Sequence, residues 1–135
     1  MEIINESSKD YLFRIGGVVT HGRQLGRTVG MPTANILPTE DISDIPCGVY
    51  AASVSVRSRI YNGITHIGTR PSVDKDTTVT VETHIFDFSE DIYGEEVLLT
   101  LYLYIRGTVS FNSLEEVKEQ VDTDIRAAKT YFTCR

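Results

Sequence analysis

Tryptophan is absent, and 135 residues hold only two cysteines, two methionines and four prolines. Cys47 and Cys134 stand far apart, without a C-x-x-C or a histidine at ligand spacing. Neither a disulfide framework nor a cysteine-based metal site is therefore expected. No three His, Cys and Asp residues have zinc-site spacing either. Apolar runs are short; none approaches the ~20 residues that a helix needs to cross a bilayer. The polar start, Met1 to Lys9, lacks the basic and apolar regions of a secretory signal. Positive charge is also scarce: 13 Lys and Arg against 19 Asp and Glu leave a net charge of -6. Such a balance argues against a general nucleic-acid or membrane surface. The corresponding expectation is a cytoplasmic protein whose partners include no nucleic acid and no membrane.

What is present suits an ordinary globular domain, with 41% hydrophobic and 24% charged residues. Residues 1–10 are expected to be a flexible N-terminus and residues 11–135 a single domain, long enough for a core without staples. Phe13 to Thr20 reads as a first strand, and 37 to 47 as a connecting loop. Gly48 to Val56 alternates, with Tyr50, Ala52, Val54 and Val56 on one face. Turn chemistry recurs at Arg57-Ser-Arg59 and at Tyr61-Asn-Gly63, where Asn-Gly is a hairpin signal. Ile64 to Gly68 is a short apolar strand, followed by a polar loop from Thr69 to Thr77. Thr78 to Phe86 alternates again, separating Val79, Val81 and Ile85 from Thr80, Glu82 and His84. In Glu95 to Arg106, Val97, Leu99, Leu101, Leu103 and Ile105 share one side. Leu98, Tyr102 and Tyr104 leave the other side half apolar, so another element should cover it.

The covering element is the one convincing helix. Ser113-Leu-Glu-Glu116 forms a capping box, and Leu114, Val117, Val121, Ile125, Ala128 and Phe132 recur at helical spacing. Asp122 and Asp124 read as its solvated face. Five or six short strands before one terminal helix predict a mostly β fold, an antiparallel barrel with the helix packed across it.

The segment from Gly17 to Asn35 carries the chemistry. Four glycines (Gly17, Gly22, Gly26, Gly30) and two arginines (Arg23, Arg27) precede Pro32-Thr-Ala-Asn35. Glycines let backbone N–H groups approach phosphate oxygens, and arginines add charge and donors. The Thr33 hydroxyl and Asn35 carbonyl suit a hard cation such as Mg²⁺ shared with substrate phosphates. Neither G-x-x-x-x-G-K-[ST] nor G-x-G-x-x-G occurs, so the segment reads as a triphosphate site of a different kind. Glu82 stands out as a carboxylate inside a β-branched strand, although the pattern alone reads it as solvent-facing. His66 reads as structural, and His84 and His21 as structural or surface residues with a lesser claim on Glu82 and on phosphate.

The arrangement G-x-x-x-H-G-x-x-x-G-R-x-x-G-x-P-T-A-N resembles the signature of the riboflavin kinases (flavokinases), including the kinase half of bifunctional FAD synthetases. Gly48-Val-Tyr50, Ile67-Gly-Thr-Arg-Pro71, Glu82-Thr-His-Ile85, Asp91-Ile-Tyr-Gly94 and Ile105-Arg106 with Phe111 follow in the family's order. The likeness spans roughly residues 11 to 131. It implies a six-stranded antiparallel Greek-key barrel with one C-terminal helix, and Mg²⁺-dependent transfer of the ATP γ-phosphate to riboflavin, giving FMN and ADP.

By that resemblance Glu82 is the general base, and Thr33 and Asn35 hold the metal. Gly17, Gly22, Gly26, Arg27, Thr33, Asn35 and Tyr93 bind ATP, while Arg106, Phe111 and Asn112 border the flavin. Phe111 reads equally as a hydrophobic staple against Val117, and Tyr93 as an aromatic at a strand edge. Two positions depart from the family pattern: Met31 precedes the Pro-Thr-Ala-Asn, and Gly107-Thr-Val-Ser110 follows Arg106 where charged or proline residues are common. No nucleotidyl-transfer motif is present, so these residues are expected to stop at FMN. An N-terminal adenylyltransferase domain is an expected partner if the chain is half of a bifunctional enzyme. The alternative from another class is a flavin-binding regulatory domain with little turnover.

Overall fold

The computed structural model describes residues 11–20, 33–71 and 77–134. Six strands and one helix follow in order: β1 (Phe13–Thr20), β2 (Ala34–Pro38), β3 (Gly48–Val56), β4 (Arg59–Pro71), β5 (Thr77–Ile85), β6 (Glu96–Arg106) and α1 (Leu114–Cys134). The strands close into a barrel in the order β1-β2-β5-β4-β3-β6, and every neighbouring pair is antiparallel. The strand β3–β4–β5 meander and the return of β6 between β3 and β1 give the expected Greek-key barrel. No helix among the described residues is long and apolar enough to cross a membrane.

Inward positions come from strand alternation. Ile15, Ile36, Tyr50, Val54, Ile67, Val81, Leu99 and Leu101 form one buried cluster inside the barrel. Its polar members are paired, as Thr65 and Thr83 share a hydroxyl hydrogen bond of 2.8 Å. The Tyr50 hydroxyl donates to the Pro46 carbonyl at 2.6 Å. A second cluster lies outside the barrel, where Val49, Ala51, Ile64 and Phe86 meet Ala128, Ile125, Tyr131 and Phe132 of α1. The helix thus covers β3, β4 and β6. Its capping box forms: Glu116 N donates to Ser113 Oγ at 3.2 Å, and Glu116 Oε1 accepts from Asn112 N at 2.9 Å. Glu116 reaches back one residue before the cap, satisfying a donor the helix cannot pair itself.

Four expectations from the pattern need correcting. The stretch 37–47 is not all loop, because Leu37 and Pro38 complete β2, a strand too short for alternation to announce. The β3–β4 turn is at Arg57 and Ser58, both with positive φ (52° and 65°), whereas Asn62-Gly63 lies inside β4. Gly63 is required there by proximity: a Cβ would sit 2.2 Å from the His84 carbonyl oxygen of β5. Strict alternation along β6 also fails. Register shifts pair Ala52 with Leu101 but Ala51 with Leu103, and Tyr50 with Tyr104 but Val49 with Arg106. Each extra residue is a bulge that turns the strand over. Leu103 and Ile105 therefore join the helix-covered cluster rather than Val97, Leu99 and Leu101. Finally, Asp124 is not on a solvated face; it is 1% exposed, between the helix and the barrel.

Candidate active site

Antiparallel register alone assembles a line of residues on the outside of the barrel, four of the five polar. Asn35 pairs with Glu82, Glu82 with His66, His66 with Val49, and Val49 with Arg106. Directly paired residues share a face, so these five side chains form one row across β2, β5, β4, β3 and β6. With strands about 4.8 Å apart, the row runs roughly 19 Å along the sheet. Its alternating neighbours Ile36, Val81 and Ile67 are in the core, which is why the row faces outward. The second bulge of β6 matters here, because it returns Arg106 to the outer face after the first had reversed the strand.

At one end, Thr33 lies just ahead of β2 and Asn35 within it. Thr33 Oγ1 and Asn35 Nδ2 are buried with no hydrogen-bond partner among the described residues. A buried polar atom left unpaired costs about 1–3 kcal/mol, so two at alternate positions point to a ligand. The donor set fits a hard cation bound together with phosphate. A hydroxyl oxygen and an amide oxygen are neutral hard ligands, and the amide N–H₂ has a proton to give a phosphate oxygen. Thr20, where β1 ends and the glycine segment begins, pairs with Asn35. The end of β1 and the start of β2 therefore lie together at this end of the row. Gly22, Gly26 and Arg27 lie outside the described residues.

Gly17 lies in the middle of β1, paired with Pro38 on one side and Val97 on the other. A Cβ there would meet Ile36 Cγ2 and the Leu37 carbonyl oxygen, both at 2.6 Å. Close strand packing accounts for this glycine without a ligand. Tyr93 is exposed at the same end of the barrel as Thr20, since Gly94 N donates to the Val19 carbonyl at 2.9 Å. Arg57, in the β3–β4 turn, holds that loop. It donates to Glu90 Oε1, the Asp91 carbonyl and Glu95 Oε2, each at 3.1 Å. Beside it is a cleft of about 290 Å³ lined by Val56, Arg57, Arg59, Tyr61, Phe88, Glu90 and Ile92. None of the row residues lines that cleft.

At the other end, Arg106 is clamped to the helix. Its Nε donates to both Asp124 carboxylate oxygens, at 2.9 Å and 3.1 Å, and its Nη2 donates to Oδ2 at 2.9 Å. Nη1 donates to the Gly107 carbonyl, and Gln120 Nε2 adds a third donor to Asp124 at 3.0 Å. The guanidinium carbon is 5.8 Å from the Phe111 ring centroid. Phe111 and Arg106 are thus together, whereas Asn112 is exposed beside the helix cap. Nothing in composition or spacing announced Asp124; a carboxylate on the same helical face as Ile125 and Ala128 was the available signal. Between the two ends, burial holds the His66 imidazole below its ordinary value of 6.5. Glu82 opposes that shift, Arg106 adds to it and Asp124 opposes it more weakly.

Comparison with known proteins follows the same lines. A family model described as Flavokinase: Riboflavin kinase matches residues 9–132. A Haemophilus influenzae protein named bifunctional riboflavin kinase/FMN adenylyltransferase is 40% identical over 121 residues, covering 89% of this chain and 39% of that protein. The chain therefore spans about two fifths of that relative's length. The crystal structure of riboflavin kinase from Trypanosoma brucei matches with a TM-score of 0.63 at 27% identity, covering 89% of this chain and 79% of that one. A Streptococcus pneumoniae crystal structure described as a macrolide-efflux protein matches with a TM-score of 0.76 at 32% identity, covering 82% of this chain and 36% of that one.

Proposed function

We propose a reaction from one premise: the chain belongs to the riboflavin kinase family. The reaction is transfer of the ATP γ-phosphate to the ribityl 5′-hydroxyl of riboflavin, giving FMN and ADP. One observation carries the reading: the unpaired Thr33 and Asn35 atoms stand next to Glu82 across a strand pair. Phosphoryl transfer needs a positioned triphosphate, neutralised phosphate oxygens and a base for the attacking hydroxyl. Asn35 and Glu82 pair across neighbouring strands, which supports giving them the last two of these tasks.

Glu82 accepts the 5′-hydroxyl proton as that oxygen bonds to the γ-phosphorus and the bond to the ADP oxygen breaks. Thr33 and Asn35 would hold Mg²⁺ through neutral oxygens, and the ion would offset charge on the phosphate oxygens. The glycine segment, with Gly22, Gly26 and Arg27, cradles the triphosphate, and Tyr93 borders it. The flavin lies toward Arg106 and Phe111, where the clamp to Asp124 holds the helix against the site. Residues 11–135 act as the kinase unit, and an adenylyltransferase domain preceding it is the partner that the named relative suggests. A regulatory domain with little turnover would have no use for an unpaired hydroxyl and an unpaired amide donor beside a carboxylate.

Chromatography of flavins after incubation with riboflavin, ATP and Mg²⁺ tests the reading, with Glu82→Gln alongside. FMN forms with the wild type, and the variant loses about 10²–10⁴-fold in rate while still binding riboflavin. Flavin binding without FMN from the wild type would favour the regulatory alternative.

A further inference from the structure

His66 is the one member of the polar row that the proposed chemistry leaves unused. It stands directly opposite Glu82, half-buried, and makes no hydrogen bond through either ring nitrogen among the described residues. Its ring is held by contact. Gly68, two residues along the same face of β4, has no side chain, and the imidazole leans over it. A Cβ on Gly68 would meet His66 Cε1 at 3.2 Å and Nε2 at 3.5 Å, and Thr80 Oγ1 at 3.3 Å from the other side. A larger residue at 68 would lift the ring out of line. The next residue of the row beyond His66 is Val49, which is apolar and packs toward the helix. Beyond His66 the row is apolar at Val49 and polar again only at Arg106, which is clamped to Asp124.

We propose that His66 is a substrate-positioning residue that hydrogen-bonds the polyol side chain of the flavin, next to the hydroxyl that Glu82 deprotonates. The inference rests on the kinase reading and deepens it. A chain with its terminal hydroxyl at Glu82 and its ring system toward Arg106 meets His66 first, the residue directly opposite Glu82 on the neighbouring strand. An alcohol hydroxyl is both donor and acceptor, and so is a neutral imidazole. Burial keeps the ring in that neutral form at physiological pH. A site built to pair a hydroxyl discriminates against an analogue lacking it, because its own polar atom is then left unpaired.

The test compares riboflavin with lumiflavin, which carries a methyl group in place of the polyol chain, by fluorescence titration of the full chain. In wild type, riboflavin binds more tightly. His66→Phe keeps an aromatic ring and removes both nitrogens, so riboflavin affinity falls roughly two- to tenfold while lumiflavin affinity holds. The KM for riboflavin rises by a similar factor and the KM for ATP does not move. His66→Asn restores part of the preference, and Gly68→Ala reduces it with His66 intact by displacing the ring. Equal losses for both flavins in His66→Phe would make the ring merely structural and overturn the inference. So would a wild type that binds lumiflavin as tightly as riboflavin. FMN formation by the wild type is measured separately, so the kinase reading can stand when this inference fails; a wild type that binds neither flavin sinks both.

Discussion

Removing the carboxylate of Asp124 is the sharpest probe of how the helix is held to the barrel. Asp124 is 1% exposed, accepts three hydrogen bonds from Arg106 and a fourth from Gln120, and has no water-facing alternative. In Asp124→Ala the guanidinium would keep only the Gly107 carbonyl. Breaking a buried pair from one side costs about 3–5 kcal/mol, because the other charge is left behind. The Arg106 side chain is 20% exposed, so water reaches part of the fork and the lower end applies, about 3 kcal/mol. For a domain of this size that corresponds to a fall in Tm of about 10 °C. Urea and thermal unfolding followed by circular dichroism measure both. The double variant Arg106→Met with Asp124→Leu replaces the pair with apolar side chains and recovers most of the loss, since no charge remains unpaired. A single variant costing under about 1 kcal/mol, or a double variant no more stable than it, would refute the reasoning. A double variant that is stable but no longer binds flavin would instead put Arg106 in direct contact with the flavin.

Two further outcomes follow from the same geometry. Gly63→Ala places a methyl group against the His84 backbone oxygen and must part β4 from β5, destabilising by about 2 kcal/mol or more in urea titration; a neutral substitution would contradict the close approach. As pH falls through 6.5, the unfolded chain protonates His66 before the folded one does, because burial lowers the folded value. Stability from this group therefore declines from neutral pH until the folded value is passed, and then levels. His66→Phe should flatten the dependence of urea midpoints between about pH 8 and about pH 5; an unchanged slope would place the titration elsewhere. Glu82, Arg106 and Asp124 are the charges that act on the ring across that range.

The architecture is legible in the amino-acid order wherever a periodicity is unbroken. Alternation from Gly48 to Val56 and from Thr78 to Phe86, and the capped amphipathic run after Ser113, are local consequences of which side chains must leave water. The glycine segment and Pro32-Thr-Ala-Asn35 likewise raise the expectation of phosphate binding without any fold, because they combine glycines, cationic donors and hard oxygen ligands in one stretch. Local rules misread Asn62-Gly63, where the glycine answers a neighbouring strand rather than a turn, and they misread β6, where two bulges reverse the faces. Tertiary pairing alone joins Asn35, Glu82, His66 and Arg106 into a single row, because inter-strand register depends on barrel closure and not on any one strand. Asp124 too is seen to be buried only in the folded chain, since the partner that makes burial of that charge tolerable comes from the end of another element, Arg106.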